Sequence, residues 1–548
     1  MISKLISAVC LYIAIQSVCV MAETAGDNYF NVRTFGATGT GTNLDSPAIN
    51  QAIAACAESG GGTVYFPAGT YLSGSIHLQS NIHLLIDAGA TILGAAQDLN
   101  PYDLAEPFAG PAYQDGGHTY FHNSLIWGEN LTNVFISGSG MINGGGLSRG
   151  DGREDQTSGL TASGRGSSPR GNRNTNSPFG RFRGTNSFSG RGGGGGTNSG
   201  PDRLGNKAIA LKLCKNVLIR DVTIFHGGHF GILVTGCDDM TIDNVTIDTD
   251  RDGMDIDCCR NTTISNCRVN SPNDDGICPK STYALGRPFI EENLTIVNCQ
   301  VSGFVEGTLL DGTMQQGRGR NGRIKFGTES SGGFRNCTIA NCTFRGCKGL
   351  AIEEVDGATL ENITINNISM MDVAGYPIYI TTGKRNRTPG LTTNSISSII
   401  KNILISDVVA TGVDRASGIQ ITGMPEQPIE GVRLENIRLV FNGGGTTNDA
   451  ARMPPELDNA YPEPRGVMPA YGLFARHVND LELANITTSF MEPDNRPGME
   501  FIDVHGLELD NVKPQVVAGA KAVLLENVSG VQIRNSPALH RSWFSRLF

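Results

Sequence analysis

From Asn216 the chain reads NVLIRDVTI, from Asp239 DMTIDNVTI, from Asn261 NTTISNCRV and from Asn293 NLTIVNCQV. The same unit, N-x-x-I-x-[ND]-x-x-[IV], returns as NCTIANCTF at Asn336, NITINNISM at Asn362, NILISDVVA at Asn402 and GVRLENIRL at Gly431. Apolar residues alternate within each unit, which is the period of a strand and not of a helix. Asn or Asp recurs where a tight turn should fall, because these side chains tolerate left-handed backbone and hydrogen-bond to it. The first two intervals are 23 and 22 residues, and later ones lengthen where Gly- and Pro-rich loops intervene. One unit cannot bury its apolar face alone, whereas stacked units share a continuous core. A rung of about 22 residues with short strands predicts an all-β solenoid, a right-handed single-stranded parallel β-helix. A β-propeller needs blades of about 40 residues and a leucine-rich repeat needs regular Leu spacing, so neither fits.

Upstream of the repeats, Ser46-Pro47 reads as an N-cap followed by Pro in the first helical turn. The helix runs through Ile49, Ile53 and Cys56 and ends at Gly60-Gly61-Gly62. A solenoid needs its open end covered, so this short helix is expected to be the N-terminal cap. The tail with Trp543, Phe544 and Phe548 is expected to cover the other end. Residues 23–143 are therefore read as the cap and first rungs, and 206–548 as the main β-helix with its catalytic rungs. Between them, 144–205 is dominated by Gly, Ser, Asn and Arg and has almost nothing to bury, so it is read as a disordered insertion. Six arginines and no acid lie between Arg165 and Arg191. The stretch is either a polyanion-binding arm or, as its composition favours, a tolerated loop insertion.

Residues 1–22 have the form of a signal peptide: Lys4, an apolar run from Leu5 to Val20, then Val20-Met21-Ala22. Export to the periplasm or the outside is expected. The run is short for a bilayer span and no stop-transfer pattern follows, so no membrane span is expected. Aromatics are only 7% of the 548 residues, which suits a core of stacked Ile, Val and Leu. The net charge of −10 argues against nucleic acid as a partner. It also means that an acidic substrate would need cations gathered locally.

Of thirteen cysteines, two lie in the first 22 residues and eleven remain, an odd number for a disulfide framework. Cys214, Cys237, Cys267, Cys299, Cys337 and Cys342 fall inside apolar strand patterns and read as buried small hydrophobes, stacked rung on rung. Cys258-Cys259 lacks a second pair at zinc-ligand spacing, so neither a metal nor another cofactor is expected. Capped solenoids are often monomers, and a monomer is expected here.

The densest acidic cluster spans two rungs. IDTDRDGMDID holds Asp248, Asp250, Asp252, Asp255 and Asp257, and SPNDDGICPKS holds Asp274 and Asp275. Asp252 and Asp274 are 22 residues apart, one rung, and so should stack on the order of 5 Å apart along the axis. Asn273 and Gly276 supply the bend that would bring Asp275 beside them. Carboxylates crowded in this way repel, and one tends to keep its proton near neutral pH. A protonated acid beside an ionised one suits glycoside hydrolysis: one protonates the leaving oxygen, the other activates water or attacks the sugar. A lone Asp in such a solenoid is a turn residue, as Asp238, Asp239 and Asp243 are expected to be. Three on adjoining rungs point to chemistry.

These residues resemble the polygalacturonase-like enzymes of glycoside hydrolase family 28. The resemblance runs from about Asn31 to Asn511 outside the insertion and includes FGATGTGTNLDSPAINQAIAAC and GGGTVYFPAGTY. The family's NTDG-x-D motif matches Asp250 to Asp255, its DD motif matches Asp274-Asp275, and the lysine that often follows matches Lys280. The resemblance implies that Asp274 is the general acid and that Asp252 and Asp275 hold the attacking water. It also implies inversion at the anomeric centre, with carboxyl groups about 6.5–9.5 Å apart. Two motifs depart. Gly322 stands where the family's Gly-His-Gly has its His, with Arg323 and Lys325 beside it. Ala351-Ile352-Glu353 stands where the family's carboxylate-binding Arg-Ile-Lys should fall. Either Arg323 and Lys325 replace those charges from an adjoining rung, or the sugar beyond the cleaved bond need not be a uronate. A galacturonidase or rhamnogalacturonan-type hydrolase therefore stands level with an endo-polygalacturonase.

Other substrate-binding candidates are Lys280, Asp255, His226 and His229, the histidines being either sugar contacts or plain turn residues. Arg287 is a further candidate for a uronate carboxylate, and Tyr471 for stacking on a sugar ring. The expected partner is a pectic polysaccharide or oligosaccharide. Two other readings of the same solenoid are a polysaccharide lyase holding Ca²⁺ on the Asp cluster and a non-catalytic carbohydrate-binding β-helix.

Overall fold

A computed structural model describes residues 28–111, 116–149, 205–392, 394–456 and 467–540. Residues 1–22, read as a signal peptide, residues 150–204 of the segment read as an insertion, and the tail with Trp543, Phe544 and Phe548 lie outside these. The described residues form a right-handed parallel β-helix in which each rung hydrogen-bonds to the next in parallel register. The alternation in the repeats has a direct outcome. In the strand Lys215–Arg220, Val217 and Ile219 point inward and are buried while Asn216 and Arg220 are exposed. Ile219 aligns with Ile242, Ile264, Ile296, Ile339, Ile365 and Ile405 on successive rungs, so that identical side chains make one aliphatic stack. Full burial of such a side chain contributes about 1.5–3 kcal/mol relative to exposure.

The asparagines that open each unit turn the corner. Asn216, Asn261, Asn293 and Asn336 all have φ between 55° and 58°. Their side chains bond from rung to rung, Asn216 Nδ2 to Asn133 Oδ1 at 2.7 Å and Asn293 Nδ2 to Asn261 Oδ1 at 3.0 Å. Left-handed backbone costs an ordinary L-residue about 1–2 kcal/mol. Asn293→Ala is accordingly expected to lower unfolding free energy by about that amount, read as a lower denaturation midpoint. An unchanged midpoint would show that this corner relaxes.

The expected capping helix α1 spans Ser46–Glu58 and buries Ile49, Ala52, Ile53 and Cys56 against the first rungs. Its N-cap is Asp45 and not Ser46, and Asp45 does not cap with its side chain. Its carboxylate is spent on the backbone N–H groups of Thr38 and Gly39, at 2.7 and 3.0 Å. The eleven described cysteines are free and buried. Within the segment read as an insertion, Leu147 is in the core, and the N–H of Ser148 donates to the Gly205 carbonyl at 2.7 Å. The chain thus leaves and rejoins the solenoid at one point. Among the described residues no helix is long and apolar enough to cross a membrane.

One face of the solenoid is a separate six-stranded parallel sheet: β1 Ile76–His77, β2 Ile126–Glu129, β3 Lys207–Lys212, β4 Phe230–Thr235, β5 Asp252–Asp257 and β6 Ile277–Lys280. The two rungs that carry the aspartates are the last two strands of this sheet. The next rung is joined to it by a parallel bridge from Ile277 to Ile324.

Candidate active site

The cluster is assembled by close backbone approach at the start of β5 and β6. Gly253 donates its N–H to the Asp275 carbonyl at 3.0 Å. A Cβ at Gly253 would lie 2.4 Å from the Gly276 carbonyl oxygen and 2.3 Å from Val269 Cγ1, so only glycine fits between the two aspartate-bearing segments. Asn273 supplies the expected bend: its N–H and its side-chain amide bond Asp250, at 3.1 Å to the carbonyl and 2.6 Å to the carboxylate. Asp252, Asp274 and Asp275 each bring one carboxylate oxygen within 4.8 Å of the others. They come together because neighbouring rungs stack at about 5 Å and Asp274 adjoins Asp275 in the chain.

These carboxyls line a cavity of about 200 Å³. Asp274 is 29% exposed, while Asp252 and Asp275 are only 6% and 5% exposed. The cavity also gathers Arg251, Lys280, Arg323, Lys325 and Lys348, five cations on a chain of net charge −10. Arg323 Nε and Lys325 Nζ lie 2.8 and 3.1 Å from Asp275, and Arg251 Nη2 lies 2.8 Å from Asp274 Oδ2. Lys280 Nζ bonds Glu329 at 2.8 Å and reaches Asp255 at 3.6 Å.

The three carboxyls are thereby driven apart. Burial, then the charges of Asp274 and Asp255, push Asp252 well above the usual carboxylate range. Burial also raises Asp274, against the pull of Arg251. Asp275 goes the other way: Lys325, Arg323 and Lys280 outweigh its burial and hold it below that range. Two carboxyls pushed toward the protonated form thus stand beside one held toward the ionised form, the combination that acid/base chemistry needs.

The structure places the expected residues unequally. Asp252, Asp274, Asp275, Lys280, Arg323, Lys325 and His229 all line the cavity. Asp255 does not. It is fully buried, accepting from His118 Nε2 at 2.9 Å behind the cavity, and cannot meet a sugar. His226 is turned away, its Nδ1 3.1 Å from Glu306, because it occupies a left-handed corner with φ 54°. Arg287 sits over the Phe289 ring at 5.0 Å, off the cavity. Tyr471 is interior, packed edge-on against Phe441 and Phe490 with its hydroxyl 2.7 Å from the Gln515 carbonyl.

The two motif departures also have a geometric account. Gly322 has φ 49°, and a Cβ there would lie 1.9 Å from the Ser302 carbonyl oxygen, so no histidine fits. The triplet Arg323-Ile324-Lys325 lies on the rung next to Asp275, and Lys325 pairs in register with Ala351 on the following one. Glu353, standing where a lysine was looked for, faces Arg323 and Lys325 at 4.0 and 3.9 Å and accepts from the Thr328 hydroxyl at 2.9 Å. Arg323 and Lys325 thus put two cations on the rung between the Asp275 rung and the one that carries Ala351. Sequence reasoning missed His118, Arg251 and Glu329. Arg251 was legible between two aspartates of the motif, but His118 lies 137 residues from its partner Asp255 and carries no local signal.

Residues 29–163 match the family described as rhamnogalacturonase A/epimerase, pectate lyase-like, and residues 183–301 and 207–396 match the right handed beta helix region. A probable polygalacturonase of Vitis vinifera is 37% identical over 120 residues, 21% of this chain and 24% of that one. The plasmin and fibronectin-binding protein A of Streptococcus pneumoniae is 48% identical over 69 residues, 12% and 10% of the two chains. The chain thus spans a quarter or less of these relatives' length. Among solved structures, a hyperthermoactive exopolygalacturonase from Thermotoga maritima superposes with a TM-score of 0.54 at 19% identity, covering 75% of this chain and 87% of that one. That likeness is one of fold.

Proposed function

We propose that this right-handed parallel β-helix, homologous to the polygalacturonase-like enzymes of glycoside hydrolase family 28, is an exported glycosidase that hydrolyses a galacturonate-containing pectic polymer or oligomer. The observation that carries this reading is the trio Asp252, Asp274 and Asp275, gathered within 4.8 Å in an open cavity that also holds five cations. Asp274, the most exposed of the three, donates the proton to the leaving oxygen. Asp275, kept ionised by Lys325 and Arg323, takes a proton from the attacking water, with Asp252 helping to hold that water. The cations attract a uronate and orient its carboxylate. Inversion follows from the family resemblance.

The test is release of reducing ends from polygalacturonan, rhamnogalacturonan and small galacturonides, with EDTA present, by the wild type and Asp274→Asn. Release that persists in EDTA and disappears in the variant is expected, and the preferred substrate names the class. NMR of the first product reads the anomer and so decides between inversion and retention. A product absorbing near about 235 nm, lost on chelation, would replace hydrolysis by elimination at a Ca²⁺ held on the same carboxylates. Equal release by the variant, or none by the wild type, would sink the catalytic reading.

A further inference from the structure

The reaction asks Asp274 to carry a proton, yet the nearest partner of that carboxyl is a guanidinium. Arg251 Nη2 lies 2.8 Å from Asp274 Oδ2. A pair of this length favours the ionised carboxyl, the form that cannot donate. The backbone at this point is fixed: the Ser271 hydroxyl bonds both the Arg251 carbonyl and, at 3.0 Å, the Asp274 carbonyl. The Arg251 side chain reaches out from this point to Asp274. It is 22% exposed and opens onto the cavity. Its Nη2 also donates to His229 Nε2 at 3.3 Å, and the His229 ring is stacked on Phe230 with centroids 4.2 Å apart. A second partner, His229, is therefore at hand on the preceding rung if the pair with Asp274 opens.

We propose that Arg251 is a movable specificity-determining residue, which holds Asp274 as a carboxylate until a substrate carboxylate draws the guanidinium away and lets Asp274 take up the proton it delivers. The inference rests on the hydrolase reading above. The proton reaches Asp274 from Asp252, whose nearest oxygen is within 4.8 Å. It passes to the glycosidic oxygen as the C–O bond breaks. The water oxygen bonds the anomeric carbon, Asp275 takes the proton that this water loses, and its return to Asp252 closes the cycle with one water consumed. A neutral sugar of the same shape leaves Arg251 on Asp274 and is cleaved slowly, so the acid is armed only by a uronate.

Asp274 faces Arg251 and Asp252 from the β5 rung, Asp275 and Lys280 from its own, and Lys325 from the next. The other four remain when Arg251 alone is replaced. Removing the guanidinium takes away an interaction that favours the carboxylate, so the Asp274 proton is lost at higher pH. In Arg251→Gln the basic limb of the kcat/KM profile is therefore expected to move up by about one pH unit. The second readout is the ratio of kcat/KM on a small galacturonide to that on its methyl ester. Wild type should favour the acid by about 100-fold, and Arg251→Gln should bring the ratio below about tenfold. Arg251→Lys, which keeps the charge but not the paired donors, should fall between.

Melting curves would show that the variants fold. Should Arg251→Gln fail to fold, Arg251→Lys carries the same two readouts. An unchanged acid-to-ester ratio with an unmoved basic limb would overturn the inference and leave the hydrolase reading standing. A wild type that cleaves neither substrate would overturn both.

Discussion

Asp274→Asn is expected to lower kcat on pectic substrates about 10³-fold with little change in KM, since general acid catalysis commonly supplies two to four powers of ten. The amide keeps the volume and the hydrogen-bonding reach of the carboxyl but has no proton of suitable acidity to give. Binding should survive, because Lys280, Arg323, Lys325 and Lys348 are untouched. The leaving group separates this role from a merely structural one. An aryl galacturonide whose phenolate departs without protonation should be cleaved by Asp274→Asn far less than 10³-fold below the wild type. Asp275→Asn should lose both substrates alike, because the base is needed whichever group leaves. Equal losses on sugar and aryl substrates by Asp274→Asn would remove it from the acid role and bring Asp252 forward, the carboxyl that burial and its neighbours push up most strongly.

Lys325→Met carries the second large effect, on stability and pH dependence together. Lys325 Nζ is 3.1 Å from Asp275 and 3.9 Å from Glu353, with only 9% of its side chain exposed. Its removal leaves one buried carboxylate short of its main cation, a change that commonly costs about 3–5 kcal/mol. Arg323 remains on Asp275 at 2.8 Å, so the lower end of that range is expected. The sign of the pH effect follows from Asp275 being held below its ordinary value, with Lys325 the largest of the charges holding it there. A depressed carboxyl stabilises the fold above its unfolded pKa, near about 3.9, and that stabilisation is lost as pH falls through the folded value. Without Lys325 the folded value rises, so the stabilisation is smaller and its loss is complete at higher pH. The base is also protonated sooner, which moves the acidic limb of kcat/KM to higher pH by about one unit or more. Calorimetric melts and a pH–rate profile on one preparation would check both. A destabilised variant with an unmoved acidic limb would make Lys325 a scaffold residue with no hold on the base.

The repeat unit by itself determined the solenoid, because a strand period of two and an Asn at each corner leave one way to bury the apolar face. It also put the two aspartate-bearing segments on neighbouring rungs, although Met254 pairs with Ile277 and Asp255 with Cys278, a register that sets Asp252 level with Asp275 and not with Asp274. The buried cysteines follow from the same alternation. What lies across the rungs was not legible in this way. The spacing does not give the 2.8 and 3.1 Å approach of Arg323 and Lys325 to Asp275, because the irregular segment between Ser302 and Lys325 carries no repeat. Period does not say which side of the cavity wall a side chain reaches, and so Asp255 and Tyr471 proved to be interior. His118 comes to Asp255 on a segment far upstream. The local pattern sets vertical neighbours through backbone hydrogen bonds. Only the tertiary structure sets contacts made by irregular loops, because their path is decided by packing against the finished solenoid and not by any repeat within them.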